Sequence, residues 1–163
     1  MKIFVCSRKE MRSQYYTDKE WYNDENKYFI SIAGLADGCA YPCPFLTNDS
    51  KRVLHLLFDD VGEIEKDNPS LILFSIEHAK KIIEFVKTIP QKESTVLYIN
   101  CAAGISRSGA VGSCLNEYFN NGNVKDFEHF KIINSQIQPN PYVKRILTKE
   151  LFGEKDYEEI FKS

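Results

Sequence analysis

No stretch of this sequence is both long and apolar enough to cross a bilayer as a helix. The most apolar runs, Val53–Phe58 and Leu71–Ile76, fall far short of the roughly 20 residues that such a span needs. A surplus of positive charge is also missing. The chain sets 21 Lys and Arg against 23 Asp and Glu, a formal net charge of −2. That balance excludes the broad basic surface by which nucleic-acid and anionic-membrane binders usually hold their partners, so any anion must be bound locally. The N-terminus, Met1-Lys2-Ile3-Phe4-Val5-Cys6, meets Arg8, Lys9 and Glu10 before the apolar core of a secretory signal is complete. A reducing, cytoplasmic setting is therefore expected. Repeats, low-complexity tracts and linkers are absent as well. The 163 residues, 43% of them hydrophobic, are read as one domain over 1–163 with enough apolar content to bury a core, and as a monomer.

The five cysteines, Cys6, Cys39, Cys43, Cys101 and Cys114, are odd in number and lie in a chain with no secretion signal, which speaks against a disulfide framework. Cys39 and Cys43 have no second Cys/His pair at ligand spacing, so a zinc site is not expected. Cys6 ends an apolar run and Cys114 lies on the apolar face of a helical pattern, so both read as small buried hydrophobes. Cys101 stands apart because of its neighbours in the chain.

Four short β-like runs, Lys2–Cys6, Tyr28–Ala33, Arg52–Phe58 and Thr95–Asn100, are apolar through their centres, as strands covered on both faces of a parallel sheet are. Between the third and fourth, Ile76, Ala79, Ile82, Ile83 and Val86 recur at helical spacing. After the fourth, Ala110, Val111, Cys114, Leu115, Tyr118 and Phe119 form another stripe that should stop at Asn121-Gly122. Asn123 and Asn140-Pro141 then open two further helices. The expected fold is α/β and three-layered: a four-stranded, mostly parallel sheet flanked by helices, with a helical C-terminal third. The aromatics Tyr15, Tyr16, Trp21 and Tyr22, in a polar segment, are read as covering the edge of a core. His55, His78 and His129 are read as structural or surface residues.

The segment Thr95–Gly109 reads as strand, tight loop and first turn of a helix. It places a thiol, Cys101, and a guanidinium, Arg107, with five residues between them. A loop of that length can curl so that successive N–H groups converge on one centre, an anion-binding nest. Gly104 permits a turn that a side chain resists, and the helix beyond it adds its positive end. Arg107 would clamp two oxygens of a tetrahedral oxyanion, and the same field favours Cys101 as the nucleophilic thiolate.

Cys101-x5-Arg107-Ser108 with the inner Gly104 resembles the signature loop of the cysteine-dependent protein tyrosine phosphatase superfamily. Residues 101–110, Cys-Ala-Ala-Gly-Ile-Ser-Arg-Ser-Gly-Ala, are most similar to its small dual-specificity branch. Gln138-Pro139-Asn140-Pro141 is similar to the start of that branch's last helix. The resemblance implies a phosphotyrosine-phosphatase-like fold and a phosphatase acting on protein tyrosine, and on serine or threonine if the pocket is shallow. It also implies a phosphocysteine intermediate on Cys101, phosphate held by Arg107 and the backbone of Ala102, Ala103, Gly104, Ile105 and Ser106, and Ser108 bonding the sulfur as it leaves. No metal or cofactor is implied, and the partner is a phosphorylated protein or peptide.

The chain departs from the family at Asn100, which stands where a histidine usually precedes the nucleophile; its amide is expected to donate to a loop carbonyl instead. That departure leaves a second reading open, a weakly active or inactive phosphate-binding module. A general acid is expected after the third strand, at Asp60 in preference to Asp59, with Asp67 a third candidate. The loop contains no lysine or histidine, which argues against substrates that carry additional phosphates.

Overall fold

The computed structural model describes residues 1–38, 43, 51–65, 67–120 and 123–153. Strands β1 (Lys2–Ser7), β2 (Lys27–Ala33), β3 (Val53–Leu57) and β4 (Val96–Cys101) form one sheet in the order β1-β4-β2-β3. All three pairings are parallel, so the expected sheet is found and has no antiparallel member. Side chains alternate across it, as a period of two requires. Ile30, Ile32, Leu97 and Ile99 enter one buried cluster, and Phe29 enters the other with Tyr98 packed against it.

Helices α3 (Ile76–Thr88), α4 (Arg107–Phe119), α5 (Val124–Ile133) and α6 (Pro141–Phe152) contribute Phe85, Val86, Ala110, Leu115, Phe130, Val143 and Leu147 to the larger cluster. Helices α1 (Arg8–Thr17) and α2 (Lys19–Asn23) cover the other face with Met11 and Trp21. These two helices were not expected. Their apolar content is slight, and what starts them is capping: Ser7 accepts from the Glu10 amide while the Glu10 carboxylate accepts from the Ser7 amide, and Asp18 caps α2, satisfying N–H groups that a helix start otherwise leaves bare. Trp21, with Tyr15 and Tyr22 packed beside it, does cover a core edge, whereas Tyr16 stays exposed. The Trp21 ring meets Phe29 and Tyr98 edge-on, and its indole N–H donates to the Tyr98 hydroxyl.

Asn123 and Asn140 cap α5 and α6 as expected, each side-chain oxygen accepting two backbone N–H bonds. Helix α4 ends at Phe119, and the Asn121-Gly122 stop lies outside the described residues, as does Cys39. Cys43 and Cys114 are fully buried, whereas Cys6 is only half-buried. Among the described residues no helix is long and apolar enough to cross a membrane.

The strand order positions the site. Because the sheet is wholly parallel, the segments that leave the carboxyl ends of all four strands gather on one edge, where open α/β sheets carry their ligands. β4 lies between β1 and β2, so the residues just beyond Ser7 and Ala33 flank the loop that leaves Cys101.

Candidate active site

Cys101 closes β4 and is 1% exposed. Its sulfur lies 3.1 Å from Ser108 Oγ and accepts the Gly104 amide at 3.3 Å. The amide is a fixed donor and the hydroxyl can turn its proton to the sulfur, an environment suited to negative charge there. The other amides of the loop are oriented by what its carbonyls do. Ala102 O accepts from the Arg8 amide, Ile105 O from Gln138 and Ser106 O from Asn140. Gly104 O lies 3.5 Å from the Gln136 side-chain nitrogen. A trans peptide holds its N–H opposite its C=O. Carbonyls drawn to the Arg8 amide at the start of α1 and to the 136–140 segment leave the N–H groups of Ala103, Ile105, Ser106 and Arg107 on the opposite side of their peptides, the arrangement that an anion-binding nest requires.

Gly104 is required for close approach. Its φ is 72°, and a Cβ there would run into the backbone of Cys6 and Ser7, residues paired in register with Asn100 and Cys101. The edge strand β1 thus forms one wall of the loop. Asn134 fixes that strand by accepting the Val5 amide and donating to the Ile3 carbonyl. The Cys6 thiol is pushed up to about 12, chiefly by burial and then by Glu10, Cys43 and Cys101, which keeps it protonated and unreactive.

Arg107 begins α4 and is 2% exposed. Burying a guanidinium requires partners. Nη1 donates to Phe58 O at 3.0 Å, and Nη2 lies 2.8 Å from each oxygen of Asp37. Nε is buried and has no partner among the described residues. Asp37 was missed in the sequence. The topology carries its only signal: an acid just after β2 lands beside the segment that leaves β4.

The two adjacent carboxylates separate cleanly. Asp59 is buried, and its oxygens accept the amides of Ala36 and Ile72 at 2.8 and 2.7 Å; it ties the segment after β2 to the approach to α3. Asp60 is exposed, and its Oδ1 accepts from Ser106 Oγ at 2.7 Å and Asn140 Nδ2 at 2.8 Å, so it is the carboxylate at the loop. Asp67 is exposed in a turn further on.

Asn100 departs from expectation. It is fully buried, and its amide contacts Cys43 Sγ at 3.6 Å rather than a loop carbonyl. Alternation sends its side chain to the face opposite Cys101, where Cys43 is in turn held by the Ser31 hydroxyl. His78 is structural, as expected. Nδ1 accepts the Ser75 amide and Nε2 donates to Leu57 O, which assigns a neutral ring, and burial lowers its pKa.

No family profile matches the sequence, and no characterised protein matches it by sequence. Solved structures do match its fold. The chain is similar to PTPMT1, with 19% identity and a TM-score of 0.52 over 99% of this chain and 94% of that one. It is also similar to the PTP-2 phosphatase of Cydia pomonella, with 16% identity and a TM-score of 0.56 over 91% and 84%. The α/β architecture is that of these phosphatases.

Proposed function

We propose that the chain is a phosphatase of the cysteine-dependent tyrosine phosphatase superfamily, a single catalytic domain hydrolysing phosphomonoesters on protein tyrosine, and on serine or threonine as well. The observation that carries this reading is the arrangement at Cys101: a sulfur facing two donors, at the floor of a loop whose carbonyls are drawn outward, beside a buried arginine whose Nε–H has no partner among the described residues. The fold it shares with known phosphatases agrees.

In the first step the Cys101 thiolate attacks phosphorus and the bond to the ester oxygen breaks. Asp60, in its acid form, gives that oxygen a proton, and the leaving group departs as an alcohol or phenol. In the second step a water gives its proton to the Asp60 carboxylate and attacks phosphorus. The sulfur leaves as a thiolate, eased by the Ser108 hydroxyl 3.1 Å away, and inorganic phosphate is released. Throughout, Arg107 and the loop amides hold the equatorial oxygens, donors fixed in advance where charge develops. Ala102, Ala103 and Asp60 are exposed, so the site opens shallowly at the surface, which favours substrates beyond tyrosine.

The test is hydrolysis of p-nitrophenyl phosphate and a phosphotyrosine peptide by wild type, Cys101→Ser and Arg107→Lys. Turnover is expected in wild type alone, with phosphate trapped on Cys101 after acid quench. Turnover persisting in Cys101→Ser would refute the covalent route. A wild type that binds the peptide without hydrolysing it would instead establish a phosphate-binding module.

A further inference from the structure

Arg107 carries five N–H donors, and its surroundings use them unevenly. Nη1 is taken by the Phe58 carbonyl, while Nη2 faces both oxygens of Asp37 at 2.8 Å. Nε is buried without a partner among the described residues. The edge by which a guanidinium grips an oxyanion side-on consists of Nε and Nη2, whose N–H bonds run parallel. Half of that edge is therefore orphaned, and the other half carries a carboxylate of the chain itself.

Asp37 is built into this place. It ends a 3-10 turn, Leu35–Asp37, closed by Gly38 at φ 67°. The turn fits against the guanidinium only because Gly34 lacks a side chain: a Cβ there would lie 2.7 Å from both Arg107 Nη1 and Asp59 Oδ1. The carboxylate is 18% exposed, so it has room to move. Both of its oxygens sit on one nitrogen instead of spanning two in the parallel fork that holds such pairs most firmly. Helix α4 and the Phe58 carbonyl hold Arg107 as well.

Resting on the phosphate-site reading above, we infer that Asp37 sets the affinity of the site: its carboxylate shares Nη2 of Arg107 with the bound oxyanion and keeps phosphate, as substrate and as product, held loosely enough to leave. Two negative groups on one nitrogen repel each other. At the distances and effective dielectric of a partly exposed site, that repulsion weakens oxyanion binding by about tenfold or more. A carboxylate that merely braced the arginine would have the opposite effect, since its loss would loosen Arg107 and weaken binding.

The experiment is calorimetric titration of inorganic phosphate into wild type, Asp37→Asn and Asp37→Ala, each with and without Arg107→Lys, with melting curves for every variant. Asp37→Asn keeps an acceptor for Nη2 and removes only the charge. Its phosphate Kd is expected to fall about tenfold, with a parallel fall in KM for p-nitrophenyl phosphate and in the phosphate inhibition constant, and Asp37→Ala should follow in direction. Two variants are used so that a folding defect in one does not decide the matter. Arg107-dependent binding in wild type that is unchanged or weaker in the folded Asp37 variants would overturn the inference and leave the phosphate site standing. Absence of phosphate binding in wild type and in both Asp37 variants would remove the site itself, and the inference with it.

Discussion

The side-chain amide of Asn140 donates to Asp60 Oδ1 at 2.8 Å while its own oxygen accepts the amides of Tyr142 and Val143 at the head of α6. One residue thus caps the last helix and restrains the carboxylate beside the cysteine loop, and its backbone N–H holds the Ser106 carbonyl as well. Asn140→Asp separates these tasks, because aspartate caps a helix as well as asparagine but places a like charge against Asp60. The melting temperature should hold, while hydrolysis of phenyl phosphate, whose leaving group needs a proton, falls roughly tenfold or more. Hydrolysis of 2,4-dinitrophenyl phosphate should change far less. Equal losses on both esters would mean that Asn140 does not act through the acid.

The neighbouring carboxylates should fail in different ways. Asp60→Asn is expected to slow phenyl phosphate far more than 2,4-dinitrophenyl phosphate, because the leaving group then departs unprotonated, and to leave stability unchanged. Asp59→Asn turns an amide N–H toward a backbone donor in a buried site and should cost about 1–3 kcal/mol, read from urea unfolding. A stable Asp59→Asn with lost acid catalysis would reverse the assignment.

Gly104→Ala combines a positive φ with a collision against the backbone of β1. Either the loop or the strand must shift. The left-handed geometry alone costs on the order of 1–3 kcal/mol, and turnover is expected to fall roughly 100-fold or more from misplacement of the reacting groups. Near-normal kinetics would show that β1 does not form a rigid wall.

His78 gives the fold a pH dependence of definite sign. Burial lowers its pKa from the ordinary 6.5, so the unfolded chain takes up the proton at a higher pH than the folded one. The stability gained by keeping this ring neutral is complete above about pH 6.5 and is lost as the pH falls through that value toward the folded one. Melting temperature should therefore drop between pH 7.5 and 5.5, and drop less in His78→Gln. Identical slopes would place the titration elsewhere.

Where the candidate site is contiguous in sequence, its local arrangement was legible there. Cys101, Gly104, Arg107 and Ser108 lie within a single turn of chain, so strand, loop and helix start could be recognised together. Asp60 was legible as a candidate because strand ends collect functional carboxylates, but nothing local separated it from Asp59; the separation comes from Ala36, Ile72, Ser106 and Asn140, all distant in sequence. Asp37 and the Asn100–Cys43 contact were illegible for the same reason, since they depend on which strands are neighbours. Helices α1 and α2 escaped because they rest on caps and a few aromatic contacts instead of a periodic apolar stripe.

The position of β4 inside the sheet has a consequence for how the molecule comes into being. β2 and β3 are neighbours in space and consecutive in the chain, so they can pair as soon as both have been synthesised. β1, made before either, has no partner until residues 96–101 arrive, a long-range closure of the slow kind. The residues around 136–140 that draw the loop carbonyls outward come later still. A nascent chain therefore carries Cys101 on an unsupported segment, and the loop around it is assembled only once the helical C-terminal third has been translated.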